Sequence, residues 1–366
     1  MLIGPQALID HSALRHNLGV VRRHAPASKV WAVIKADAYG HGMEQAAISL
    51  SNADGFAVAR IAEALRLRQS GVDKPILVLA GAFAIDELAE AAHHRLELAV
   101  HQLEQLALLE HDSLEEQLRA WIKVDTGMHR LGLDPIDVPA VVKRLSACPS
   151  VHPQLGLMTH LANADDPQDP LSDLQCERLR ALASTGQALN IGNSGGILAF
   201  PSSRVDWVRP GIMLYGSSPF PRRSADALDL KPVMTLKTRL IAIRNQRRGD
   251  RIGYGGTYRC TEDMPVGVAA IGYGDGYPRH APDNTPVLVA GTRACLVGRV
   301  SMDSITLDLR GIPEASPGDE VVLWGRGLPA EEIARHAETI SYELFCGVTA
   351  RVPKEHLELS SGRNRS

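Results

Sequence analysis

The stretch VWAVIKADAYGHG, residues 30–42, decides how this 366-residue chain is read. Its first part, Val30–Ala36, is apolar on nearly every residue, the pattern of a parallel strand covered on both faces. Seven more such runs follow: Gly55–Ala59, Pro75–Gly81, Leu96–His101, Arg119–Thr126, Gln154–Leu161, Ala188–Asn193 and Asp206–Leu214. Between them apolar residues recur three and four apart, as in Leu103, Leu106 and Ala107, or Leu179, Leu182 and Ala183, which is the stripe of an amphipathic helix. Gly71 and Gly186 fall where such helices should stop. Eight strand–helix units predict an α/β fold with a TIM-like (β/α)8 barrel, in preference to an open doubly wound sheet.

The texture changes near the turn-rich Ser217–Pro221. From Met234 onward short alternating strands dominate: Met234, Leu236, Thr238 and Leu240 alternate with exposed types, and Val266–Ile271, Pro286–Val289, Ala294–Val297, Ile305–Leu309 and Glu320–Leu323 follow. Helical spacing returns only near Pro329–Glu338. The predicted domains are a barrel over 1–229 and a mostly β domain over 230–366.

Composition narrows the function. With 39 basic and 42 acidic residues the net charge is −3, and no basic stripe suggests nucleic-acid binding. Five scattered cysteines without a C-x-x-C pair suggest neither a disulfide framework nor a metal site. No signal peptide and no apolar run of membrane-spanning length is visible, so a cytoplasmic protein is expected.

Barrel chemistry gathers at the carboxyl ends of the strands. Those ends carry Lys35 after the first strand, Asp125–Arg130 after the fifth, His160 after the sixth, Asn193–Gly196 after the seventh and Arg209–Ile212 on the eighth. A lone lysine there is ordinarily a surface residue; its convergence with Arg130, His160, Ser194 and Arg209 on one rim weakens that reading. Loops after the last two strands commonly hold a phosphate, and Ser194, Gly195, Gly196, Gly211 and Ile212 suit close backbone approach to an anion. A buried lysine among cations can lose its proton and attack a carbonyl. Phosphate plus such a lysine points to pyridoxal 5'-phosphate (PLP).

The motifs VIKADAYGHG, KVDTGMHRLG, THLANAD, GNSGG, RPGIMLYG, GYGGTY, GYGDGYPR and GRVSMDSITLDL run in order over nearly the whole chain. In this the sequence resembles the bacterial alanine racemases. The resemblance implies that Lys35 carries PLP as a Schiff base and, once released, serves as one catalytic base, with Tyr254 as the opposite base. Two bases facing each other across Cα let a proton leave one face and return on the other. A phenol with a pKa near about 10 is a weak base; the resemblance supplies a hydrogen-bonded His160 and Arg209 to assist it. Arg209 would also face the pyridine nitrogen, Arg130 the cofactor phenolic oxygen and the substrate carboxylate, and the Met302 backbone N–H that same carboxylate. Tyr39, Ser194, Gly211 and Ile212 would hold the phosphate, while Tyr273 and Asp303 would lie near the mouth of the site. Lys123 matches a lysine carbamylated in some relatives, which would give Arg130 an anionic partner. Tyr254 and Met302 would reach a partner's barrel, implying a head-to-tail homodimer. The implied reaction interconverts L- and D-alanine, supplying D-alanine for peptidoglycan. Two departures stand out: Ala350 replaces a phosphate-contacting tyrosine, and Ser301 replaces a cysteine common before Met302.

Other readings fit less well. A barrel PLP decarboxylase would set an acid, not Arg209, against the pyridine nitrogen. A non-catalytic PLP-binding protein resembles the barrel alone. GNSGG also fits the G-x-S-x-G of serine hydrolases, with His280, His336 or His356 as nominal partners. A racemase of broader amino-acid specificity remains the alternative within the same chemistry.

Overall fold

The computed structural model describes residues 4–111, 114 and 116–357. The chain begins with β1 (Gln6–Asp10) and the helix His11–His24, whose first turn is capped by the Asp10 carboxylate accepting from the Ser12 and Ala13 N–H groups at 2.9 and 3.1 Å. The barrel then forms from β2 (Lys29–Val33), β3 (Gly55–Val58), β4 (Ile76–Val78), β5 (Glu97–Val100), β6 (Arg119–Lys123), β7 (Gly156–Met158), β8 (Leu189–Asn190) and β9 (Trp207–Val208). These eight are parallel and close in sequence order, with β9 returning to β2 so that Lys29 faces Trp207. Each lies within or beside one of the eight apolar runs, as expected of strands buried on both sides.

Tryptophans fill the amino-terminal end of the barrel. Trp31 stacks on Trp207 with ring centroids 4.4 Å apart, and Trp121 meets both edge-on at 6.5 and 6.2 Å. Gly55 and Gly156, each opening its strand, make room: a Cβ there would lie 2.2 Å from the Trp31 ring and 2.3 Å from the Trp121 ring. This bulk closes one end and leaves the carboxyl end for polar groups. Gly156→Ala is expected to destabilise the protein by about 1–3 kcal/mol through overpacking. A fall in the denaturant midpoint without a change in slope would show it.

The second unit is built from β10 (Met234–Gln246), β11 (Arg251–Ile252), β12 (Tyr258–Arg259), β13 (Met264–Ala269), β14 (Pro286–Val289), β15 (Thr292–Leu296), β16 (Ile305–Asp308), β17 (Glu320–Trp324) and β18 (Lys354–Leu357). Eight strands run in the order β13-β16-β15-β14-β17-β10-β1-β18, and β10 also pairs with β13, so the sheet curls back on itself. β11 and β12 form a separate hairpin. The mostly β character expected after residue 230 is observed. Two details differ from the sequence reading. β1 joins this second sheet, antiparallel to β10 and parallel to β18, although it precedes the barrel in the chain. Helical structure also continues beyond Ala330–His336 into Ser341–Gly347. Among the described residues, no helix is long and apolar enough to cross a membrane.

Candidate active site

Lys35 follows the last residues of β2 and begins a left-handed turn. Ala36, Asp37, Ala38 and Tyr39 all have φ of 52–54° and ψ of 43–52°. None is glycine, and the left-handed conformation costs an L-residue about 1–2 kcal/mol. Such strain persists only where surrounding contacts over-determine it, and it gathers at functional sites. The turn ends at Gly40, where a Cβ would lie 2.3 Å from the Phe345 carbonyl oxygen, so no other residue fits.

The turn delivers Tyr39 to the loops after β8 and β9. Tyr39 is buried, its ring 4.7 Å from that of Tyr215, whose hydroxyl donates to the Val33 carbonyl at 2.8 Å. A Cβ on Gly211 would come within 2.6 Å of the Tyr39 hydroxyl oxygen, so the glycine makes that approach possible. Ser194 Oγ accepts from the N–H groups of Gly211 at 3.0 Å and Met213 at 3.3 Å, which leaves its own proton to donate elsewhere. The Ile212 N–H has no acceptor among the described residues. Tyr39, Ser194, Gly211 and Ile212, expected together from the sequence, meet here: the two hydroxyls and the Ile212 N–H are donors suited to a phosphate, while the Gly211 N–H is taken by Ser194.

A second group of expected residues converges beside it, and all are basic. Burial and then the Arg130 charge lower the Lys35 pKa. Burial, Arg209, Arg130 and Lys35 bring that of Lys123 down to about 8. His160 is pushed well below its ordinary value by burial and then by Arg209, Lys123, Arg130 and Lys35, so its imidazole is neutral. Arg209 is buried, which lowers its pKa to about 10.

Arg209 is held differently from expectation. Its Nη1 donates to the Asn190 carbonyl at 2.8 Å and to Asn190 Oδ1; its Nη2 donates to the carbonyls of Thr159 and, at 3.2 Å, Ile191. Among the described residues no hydrogen bond joins it to His160. With both terminal nitrogens committed to the barrel wall, Nε is the donor left for a ligand.

Met302, Tyr273 and Asp303 form a separate cluster on the second unit, and Tyr254 lies on the same unit. Tyr273 N–H donates to the Ser301 carbonyl at 3.0 Å, and Gly274 N–H to the Met302 carbonyl at 2.9 Å. Asp303 accepts from Arg351 at 2.7 Å, and Arg351 lies 3.4 Å from Asp275. Tyr254 sits in a glycine-flanked turn with 70% of its surface exposed, and Met302 is 51% exposed. None of the main charges acting on Lys35 comes from this cluster.

Two residues near Lys35 were not anticipated. Glu63 and Cys346 both act electrostatically on its amine. Glu63 was not singled out in the sequence, and Cys346 was read only as one of five scattered cysteines. The departure at Ala350 leaves an exposed position; Tyr342 instead packs on Tyr39 at 5.8 Å. The hydrolase reading of GNSGG gains no partner: Ser194 Oγ faces backbone donors, and the His356 ring is engaged with His11 at 2.8 Å.

Comparison with known proteins gives a consistent result. The sequence model of the alanine racemase N-terminal domain matches residues 9–219, and that of the alanine racemase C-terminal domain matches 233–356. The alanine racemase of Nitrosococcus oceani is 54% identical over 350 residues, spanning 96% of this chain and 98% of that protein. That of Aeromonas hydrophila is 49% identical over 353 residues, spanning 96% and 99%. Among solved structures, the biosynthetic alanine racemase from Pseudomonas aeruginosa superposes with a TM-score of 0.95 at 44% identity, covering 97% of this chain and all of that one (100%). Alanine racemase from Acinetobacter baumannii gives 0.92 at 34% identity, with 97% and 100% covered.

Proposed function

The chain belongs to the alanine racemase family, and on that premise we propose that it interconverts L- and D-alanine with PLP held at Lys35, as a homodimer with shared sites. The observation that carries this reading is the convergence on one rim of a lysine whose pKa is lowered by burial and Arg130, a neutral histidine, a buried arginine and a cradle of donors. The donor set fits the cofactor: Tyr39 hydroxyl, Ser194 hydroxyl and Ile212 N–H for the phosphate, Arg209 Nε for the pyridine nitrogen, and the Lys35 amine for the aldehyde carbon.

Bound PLP would supply an electron sink that acidifies the substrate Cα–H. The remaining work falls to side chains. Burial and then the Arg130 charge disfavour the protonated form of the Lys35 amine, which favours its action as a proton acceptor. Arg130 presents a cationic fork to the substrate carboxylate. Arg209, unable to give up a proton readily, holds the pyridine nitrogen by hydrogen bonding alone, which restrains side reactions. Tyr254 of the partner subunit acts on the opposite face of Cα, and Met302 and Tyr273 of the partner subunit help close the site. The product D-alanine serves peptidoglycan assembly.

The direct test incubates the protein with PLP and L-alanine and follows D-alanine by chiral chromatography. Approach to an equal mixture supports the reading. No D-alanine from a cofactor-loaded protein would overturn it.

Lys123 is proposed to carry a carbamate. Lys35, Lys123, Arg130 and Arg209 crowd one rim, and an amine with a pKa of about 8 has an appreciable neutral, CO2-reactive fraction at neutral pH. The carbamate would convert one of these four crowded basic groups into an anion facing Arg130. Equilibration with carbon-13 bicarbonate is expected to give one carbamate resonance that Lys123→Arg removes. A bare amine in a high-resolution density map would sink this. The sign of the pH dependence follows from the unmodified state. A lysine whose folded pKa lies below its unfolded one destabilises the fold as pH falls, with the loss developing from about 10.5 down to about 8. Carbamylation removes that penalty, so depleting CO2 at pH 7 is expected to lower the melting temperature of the wild type and leave Lys123→Met unchanged.

A further inference from the structure

The left-handed turn at Lys35 needs contacts that hold it, and they divide between its two ends. The far end is secured several times over. Asp37 Oδ1 accepts from Met43 N–H at 3.1 Å and Arg66 at 3.0 Å, and Asp37 Oδ2 accepts from Lys354 Nζ on β18 at 2.6 Å. His41 Nδ1 lies 3.0 and 2.9 Å from the carbonyl oxygens of Ala38 and Tyr39. The near end, at the residue beside Lys35, has one side-chain partner among the described residues. Glu63 Oε1 accepts the Ala36 N–H at 2.7 Å.

We propose that Glu63 is a positioning residue for Lys35, pinning the first residue of the left-handed turn and standing as the anion that faces the amine. A bland role is available to it and does not account for the geometry. Glu63 occupies the third position of the helix Ile61–Gln69, and its Oε2 accepts from Arg60 N–H at 3.1 Å, which is what an end-capping glutamate does. Capping its own helix uses that oxygen. Oε2 also takes the Ala59 N–H at 2.7 Å, and Oε1 is turned across to the loop after the neighbouring strand. One carboxylate therefore ties the mouths of β2 and β3 together at Lys35. It is also the carboxylate among the main charges acting on that amine, where Arg130 and Arg209 lower the proton affinity and Glu63, with the Cys346 sulfur, raises it. Lys123 adds a further cation to the same rim.

The test uses the full-length protein freed of cofactor and two readouts that a merely stabilising role would not move together. One is competitive acetylation of Lys35 across pH, read by peptide mass spectrometry, which gives the titration of that amine. The other is amide hydrogen exchange over residues 36–39. Glu63→Ala is expected to speed exchange at Ala36 about tenfold, the loss of one charge-assisted hydrogen bond, and to shift the Lys35 titration to lower pH. Glu63→Gln keeps one acceptor oxygen for Ala36 but turns its NH2 toward the Ala59 and Arg60 N–H groups, so it is expected to restore part of the protection and keep the shifted titration. Glu110→Gln, in an exposed pair with Arg144, is expected to change neither. Should Glu63→Ala fail to fold, Glu63→Gln still decides: a wild-type Lys35 titration in that variant overturns the proposal, as does unchanged exchange in Glu63→Ala. The inference rests on Lys35 being the cofactor lysine. If that reading fails, borohydride reduction of the loaded wild type and peptide mapping find the cofactor elsewhere; if only the inference fails, the cofactor is on Lys35 and the Glu63 variants behave as wild type.

Discussion

Lys35→Ala is expected to lose racemisation by at least about 10⁴-fold, since the change removes both the covalent attachment and one of two acid–base groups. Chiral chromatography of D-alanine formed from L-alanine measures it. The fold should survive. Lys35 is half-buried beside Arg130, and both burial and that charge oppose its protonated form. Deleting it relieves repulsion among cations, so the melting temperature should hold or rise. Loss of activity with intact stability therefore separates chemistry from folding. The phosphate cradle of Tyr39, Ser194 and Ile212 is untouched by the change, so PLP should still bind, now removable by dialysis. A rate within about tenfold of wild type would exclude Lys35 as a base, because a positioned base contributes more than that.

The barrel was legible because its strands are buried on both faces, and Val30–Ala36 or Pro75–Gly81 can be little else. The second sheet was legible as a class but not in membership. Gln6–Asp10 is not among the runs read as strands, and nothing in its five residues says which of two sheets it joins; pairing with β10 and β18 settles that at long range. The left-handed turn was hidden for a different reason. Ala36-Asp37-Ala38-Tyr39 has no glycine where positive φ occurs, and local propensity argues against the conformation actually adopted. Tertiary contacts impose it: Gly40 against Phe345, Lys354 on Asp37 and Glu63 on Ala36.

The Arg209 geometry was equally out of reach. β8 and β9 are only two residues long, so the ladder ends early; the Asn190 carbonyl still accepts the Thr159 N–H at 3.2 Å, while the Ile191 carbonyl is left for a side-chain donor. The buried Arg209 guanidinium supplies that donor at 3.2 Å and reaches the Asn190 carbonyl as its second donor at 2.8 Å, which fixes it against the wall that borders the candidate site. Its residue type could be read from sequence, but the competition among acceptors could not.

Tyr254→Phe is expected to slow racemisation by about 10²–10³-fold, the share a positioned acid–base group commonly supplies. The loss must be equal in both directions for kcat/KM, because the two enantiomers have the same free energy. The asymmetry appears in isotope exchange instead. With Lys35 intact on one face, the variant in heavy water should exchange the Cα hydrogen of one enantiomer far faster than it racemises either. Where Tyr254 acts is decided by mixing. Within one chain it is exposed on the second unit and is not among the main charges acting on Lys35. If each site takes Lys35 from one protomer and Tyr254 from its partner, a dimer of one Lys35→Ala chain and one Tyr254→Phe chain has one site with both defects and one with neither. Random pairing of two such variants, each nearly inactive alone, should therefore restore about a quarter of wild-type activity. If both bases came from the same chain, every site in the mixed dimer would carry a defect and nothing would be restored. Co-expression with two different affinity tags isolates the mixed species, in which activity per dimer should reach about half that of wild type.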